Sequence, residues 1–155
     1  MDDPFFVRNL VYGVEDSLIS TTGVVAGIAL AGLQHKDIVT TGSILVLVEA
    51  LSMAFGAFVS EDSFMKTAKM KHGVTDVLTY AGVMFVAYLL AGLVPMIPFL
   101  LHLDGAWKYS VALAIAALFG LVMLVQKDLE KASTLTAIGG VILGVSIAAG
   151  RFMKS

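Results

Sequence analysis

The sequence predicts an all-α, polytopic membrane protein: five transmembrane helices in a single transmembrane domain over residues 1–155. Two observations carry this. Apolar residues make up 58% of the 155-residue chain and charged residues 14%, against roughly 45–50% and 25% in a soluble domain. Mean hydropathy is +0.91. The apolar runs are also long. Each approaches the ~20 residues of a spanning helix, and a run of that length in lipid closes its backbone hydrogen bonds internally as a helix. A barrel would alternate polar and apolar positions, and residues 111–125 show no alternation.

The predicted spans are residues 10–33, 38–59, 77–101, 109–126 and 134–150. The first carries Glu15 and Asp16 near its start. Before it, Met1-Asp2-Asp3-Pro4 is acidic and lacks the basic start of a secretory signal, so the first apolar run is expected to stay in the mature protein. Gln34–Asp37 reads as a tight turn, which makes spans one and two antiparallel neighbours. Span two is apolar except for Glu49. Residues 60–76 read as the longest link, where Glu61 and Asp62 near the inner surface could form an ion vestibule, with solvated loop acids as the plainer reading. Lys66, Lys69 and Lys71 on that link are expected at anionic headgroups. Span three ends in Pro95-Met96-Ile97-Pro98, where a kink or unwinding is expected. Span five is rich in glycine.

With the N-terminus inside, the inner loops hold Arg8, Lys66, Lys69, Lys71, Lys127 and Lys131. The outer side holds Lys36, Lys108, Arg151 and Lys154. The positive-inside rule therefore favours a cytoplasmic N-terminus, in the cell (inner) membrane if the source is prokaryotic. Small residues four apart, Gly23 and Gly27, Ser52 and Gly56, Gly140 and Gly144, mark faces for close helix packing, within the chain or in a dimer seam.

The chemistry available is limited. The chain has no cysteine, hence no disulfide, thiolate site or cysteine nucleophile. Net charge is −2, with no basic patch, which disfavours nucleic acid as a partner. No phosphate loop, nucleophile elbow or paired-histidine zinc motif occurs, so an enzyme is not expected. His35, His72 and His102 read as exposed loop residues. Glu49 is the clearest functional candidate: a mid-bilayer carboxylate costs at least about 2.5–3.5 kcal/mol and is tolerated where it meets a cavity, partner or ion. Met53 shares its helix face at i+4. A hard oxygen beside a soft thioether suits a borderline divalent transition metal; the plainer alternative is a buried helix-to-helix hydrogen bond with Met53 as filler. Glu15 and Asp16 point about 100° apart, so at most one meets the spot Glu49 faces. Ser20 extends the polar face of Asp16. Thr21 and Thr22 are expected to bond to backbone carbonyls one turn back.

Two blocks carry a family resemblance. Tyr12-Gly13-Val14-Glu15-Asp16-Ser17-Leu18-Ile19-Ser20-Thr21, followed by Val25-Ala26-Gly27, resembles the first-span signature of the vacuolar iron transporter family. Glu49-Ala50-Leu51-Ser52-Met53-Ala54-Phe55-Gly56-Ala57-Phe58-Val59-Ser60 resembles its second-span block, and the Ser-Met pair is the most specific part. Pro95-Met96-Ile97-Pro98 is similar to its third-span ending. The chain departs from the family at Ser17, where Gly is common, at Ala57, where many members have Glu, and at Leu45, where plant-type members have an acid. Its 60–76 link is too short for the family's carboxylate-rich cytosolic segment, so the resemblance is to a minimal member.

The resemblance implies a five-helix homodimer in the lipid bilayer that exports Fe2+ or Mn2+, with Co2+ and Zn2+ as further cargo candidates, from the cytosol in exchange for protons. By motif, the metal-binding residues fall on Asp16, Glu49 and Met53, with no permanently bound cofactor. Two other readings stay open: a non-transporting membrane scaffold or regulatory subunit, and a passive cation channel.

Overall fold

The computed structural model describes residues 3–71 and 73–154. Five helices make up the fold: α1 Pro4–Leu30, α2 His35–Thr67, α3 Val74–Leu100, α4 Ala106–Gln126 and α5 Leu129–Lys154. Each is long and apolar enough to cross a membrane, so the chain is an integral multi-pass membrane protein. No strand occurs among the described residues.

The helix ends follow from local chemistry. The Asp3 carboxylate accepts from the Phe5 and Phe6 backbone N–H groups, and Pro4 fills a first-turn position that needs no donor. Tyr80 of α3 also donates to Asp3 at 2.8 Å. That bond, with the two backbone donors, holds the Asp3 carboxyl below its ordinary value against the opposing effect of desolvation. At the far end of α1, Gly32 adopts φ 92°. Gly32 N–H then reaches Ala29 O, and Leu33 N–H reaches Ile28 O, both at 3.2 Å. This Schellman closure satisfies the last carbonyls and turns the chain into α2 within four residues. Spans one and two are neighbours, as the short turn implies.

Several boundaries differ from those read in the sequence. α1 begins at Pro4 and α2 runs on to Thr67, so most of the expected 60–76 link is helix. Arg8 and Glu61, expected in an inner loop and on the link, meet each other and Asn9 between the two helices, and an Asp62–Lys66 pair at 2.5 Å supports the extension. At about 1.5 Å per residue, the 33 residues of α2 reach about 50 Å, well past a hydrocarbon core of about 30 Å. α5 likewise starts at Leu129, five residues before the expected start. The proline pair does not end α3 early: the helix continues through Pro95 and Pro98 to Leu100. Thr21 and Thr22 are fully buried, yet their hydroxyls make no hydrogen bond, so the expected back-bonding is absent.

Glycines set how closely the helices approach. A Cβ on Gly13 would lie 3.0 Å from Ala87 Cβ of α3, and one on Gly92 would lie 2.8 Å from Ser17 Oγ of α1 and from Val46 of α2. Gly23 of α1 sits against Ser146 of α5, so the Gly23–Gly27 stripe packs within the chain. α1 touches all four other helices, whereas α2 touches only α1 and α3. The outer face of α2, with Leu51 and Phe55, is therefore left to the bilayer.

Gly92→Ala is expected to lower the melting temperature in detergent, because the added methyl overpacks a three-helix contact at a cost of about 1–3 kcal/mol. Gly120→Ala, where nothing lies within 4 Å of the added carbon, is expected to leave the melting temperature unchanged or slightly raised. Thermal denaturation followed by size-exclusion chromatography reads both.

Candidate metal-ion site

Glu49 points into the bundle. Its Oε2 accepts from Ser20 Oγ of α1 at 3.0 Å and from the Tyr88 hydroxyl of α3. Ser20 and Tyr88 are themselves 2.6 Å apart, so the three groups close a triangle at the junction of α1, α2 and α3. Tyr88 is fully buried. Ser17 Oγ fixes the α3 backbone beside it by donating to Tyr88 O at 2.6 Å. The carboxylate is thus held by two hydroxyl donors where water is scarce, which is what an ionisable group at this depth requires.

A second contact fixes how α1 and α2 face each other. Arg8 pairs with Glu61, and Ser20 bonds to Glu49. Arg8 and Ser20 are twelve residues apart on α1, and Glu49 and Glu61 are twelve apart on α2, in the opposite chain direction. Between these contacts, at steps of one turn, α1 presents Tyr12 and Asp16 while α2 presents Ala57 and Met53. By residue count this antiparallel register puts Asp16 and Met53 at the same level along the two helices, one turn from the Glu49 cluster.

Asp16 is half-buried and feels the charges of Glu49 and Glu15. It lines an open groove of about 770 Å³ between α1 and α5, together with Tyr12, Glu15 and Ser20. Glu15 shares that groove with Asp16 despite the angular separation between them. Met53 lines a different, smaller cavity, about 280 Å³, which Tyr12 also borders. The structure brings Asp16 within electrostatic reach of Glu49, while Asp16 and Met53 line different cavities. Among the described residues no group of three His, Cys, Asp or Glu side chains stands ready for a metal ion.

Sequence reasoning missed Tyr88, because a tyrosine in an apolar run gives no sign of what its hydroxyl meets. It also misread Glu61, which is 2% exposed on a helix instead of solvated on a link. His35 is not an exposed loop residue: it opens α2, half-buried, and stacks on His102 with ring centroids 4.2 Å apart. His102 is exposed, as expected, and His72 lies outside the described residues.

A family model described as the VIT family matches residues 7–76, which covers α1, α2 and the link to α3. No curated protein and no solved structure matches the chain.

Tyr88→Phe keeps the ring and removes one donor to Glu49. It is expected to destabilise the protein by about 1–3 kcal/mol, the cost of an under-satisfied buried polar group, seen as a lower melting temperature in detergent. Tyr109→Phe, at an exposed position on α4, is the control and is expected to melt as the parent does.

Proposed function

Because residues 7–76 mark this chain as a member of the vacuolar iron transporter family, a family of metal-ion transporters, we propose that it exports divalent transition-metal ions, Fe2+ or Mn2+, from the cytosol in exchange for protons. The observation that carries the proposal is Glu49: a carboxylate in the middle of a membrane span, held between Ser20 and Tyr88, with Asp16 within reach of its charge and Met53 one turn further along α2. Both hydroxyl bonds fall on Oε2 of Glu49, which leaves Oε1 for a cation. Asp16 supplies the second negative charge, and Met53 supplies a soft sulfur that favours a borderline metal over calcium or sodium.

Charge balance links metal to protons. Two carboxylates neutralise one divalent ion, and two protons neutralise the same pair once the ion leaves. Neither state strands net charge in the span, where it costs most. Metal needs the carboxylates ionised, so protons arriving from the far side displace it. The cytoplasmic N-terminus and a homodimer through the transmembrane helices belong to the same proposal. The dimer is supported by the second-span stripe of small residues, where Gly56 faces open space and Ser52 is exposed. Such a stripe lets a second copy approach closely.

The test is Mn2+ flux into proteoliposomes with a trapped metal-sensitive dye, with and without an imposed pH gradient. The expected outcome is uphill accumulation driven by the gradient, reduced about 10–100-fold in Glu49→Gln, the scale of loss when a metal site is disturbed. Flux that only equilibrates, whatever the pH gradient, would establish the channel instead. No flux from monodisperse protein would establish the scaffold.

A further inference from the structure

The cavity of about 280 Å³ lies at the Arg8 end of the α1–α2 seam, and Glu61 lines it. Glu61 is 2% exposed, and its two oxygens are treated unequally. Oε1 accepts from Arg8 and also from Asn9 Nδ2, the latter at 2.7 Å. Oε2 is buried and has no partner. An arginine usually grips a carboxylate with two parallel bonds, one to each oxygen. Here both donors crowd one oxygen, and the other stays buried and unpaired on a residue that lines the cavity. A buried carboxylate oxygen without a partner is costly. The space beside it is ample for a hydrated ion, since a water takes about 30 Å³ of liquid volume. Ser60, Met53 and Met84 line the same space, and Met84 is itself buried. A carboxylate, a hydroxyl and two thioethers form a mixed hard and soft donor set that suits a borderline transition metal.

We propose that this cavity is a second divalent-cation site at the mouth of the seam, with Glu61 as its anionic ligand and Arg8 as a tethered cation that holds the carboxylate until metal replaces it. The inference rests on the transport reading above and extends it to how the ion is loaded. Arg8 is built to let go: its side chain is 51% exposed. Its guanidinium also lies 5.4 Å from the Phe5 ring centroid and 5.9 Å from that of Phe64, so it keeps cation–π contacts when it leaves the carboxylate. The exchange replaces one cation by another, and Glu61 is never left buried and unpaired. Met53 borders this cavity and lies one turn from Glu49 on α2, so the ion passes from Glu61 by way of Met53 to Glu49.

The experiment is Co2+ titration by calorimetry on the full chain in nanodiscs. The parent is expected to bind two equivalents per chain and the Asp16→Asn/Glu49→Gln variant one. Adding Glu61→Gln to that variant is expected to abolish the remaining binding. Adding Arg8→Gln instead is expected to tighten it about tenfold or more, because the competitor is gone, and adding Met84→Leu to weaken it several-fold. Residual binding that Glu61→Gln leaves unchanged, or that Arg8→Gln weakens or does not alter, would overturn the proposal and leave Arg8–Glu61 as a structural clamp. A parent that binds one equivalent, lost in Asp16→Asn/Glu49→Gln, would overturn this site and spare the transport reading. A parent that binds none would remove both. If Glu61→Gln does not elute as a monodisperse peak, the opposite signs expected for Arg8→Gln and Met84→Leu decide.

Discussion

Two carboxylates on one helix, Glu61 buried and Glu49 half-buried, must each find donors on another, and that constraint fixes how α1 and α2 meet. Glu49 and Glu61 both project from α2 into the bundle. α1 answers with Ser20 at one end and with Arg8 and Asn9 at the other. Sliding α1 by one turn would strand both acids at once, each at a cost of several kcal/mol. Apolar side chains tolerate such slips far better, because their contacts carry little directional preference. The polar contacts therefore set the register of α1 against α2.

The packing around the seam divides the labour among the helices. α3 supplies the wall that carries Tyr88 and approaches α1 and α2 closely, because Gly13, Gly42 and Gly92 leave no side chain in the way. α4 and α5 flank α1 on the side away from α2, and neither touches α2. That asymmetry leaves α2 with a functional face toward α1 and α3 and an apolar face toward the bilayer. It also leaves the groove containing Asp16 open between α1 and α5. Asp16 beside that open groove and Glu49 bonded to Ser20 and Tyr88 therefore differ in their access to water.

Much of the fold was legible in the sequence because a lipid solvent restricts the options: long apolar runs must be helices, and short links must join neighbours. The errors came where polar residues satisfy each other at the ends of helices. Arg8, Asn9 and Glu61 look like loop residues one at a time and become helical only as a cluster. Pro95 and Pro98 look like a break, yet α3 passes through them. Each proline removes one N–H and frees the carbonyl four residues back, and neighbouring helices can compensate for the bonds lost.

The sequence by itself determined that this chain has five helices long and apolar enough to cross a membrane and that Glu49 shares a helix face with Met53 inside one of them. These follow from hydropathy and helical periodicity, which are properties of single segments. Only the tertiary structure decided that Tyr88 and Ser20 hold Glu49, that Glu61 is buried against Arg8, and that His35 stacks on His102. Those partners lie 29 to 67 residues apart in the chain. A hydrogen bond depends on where two atoms meet in space, and no local pattern encodes the helix register that brings them together.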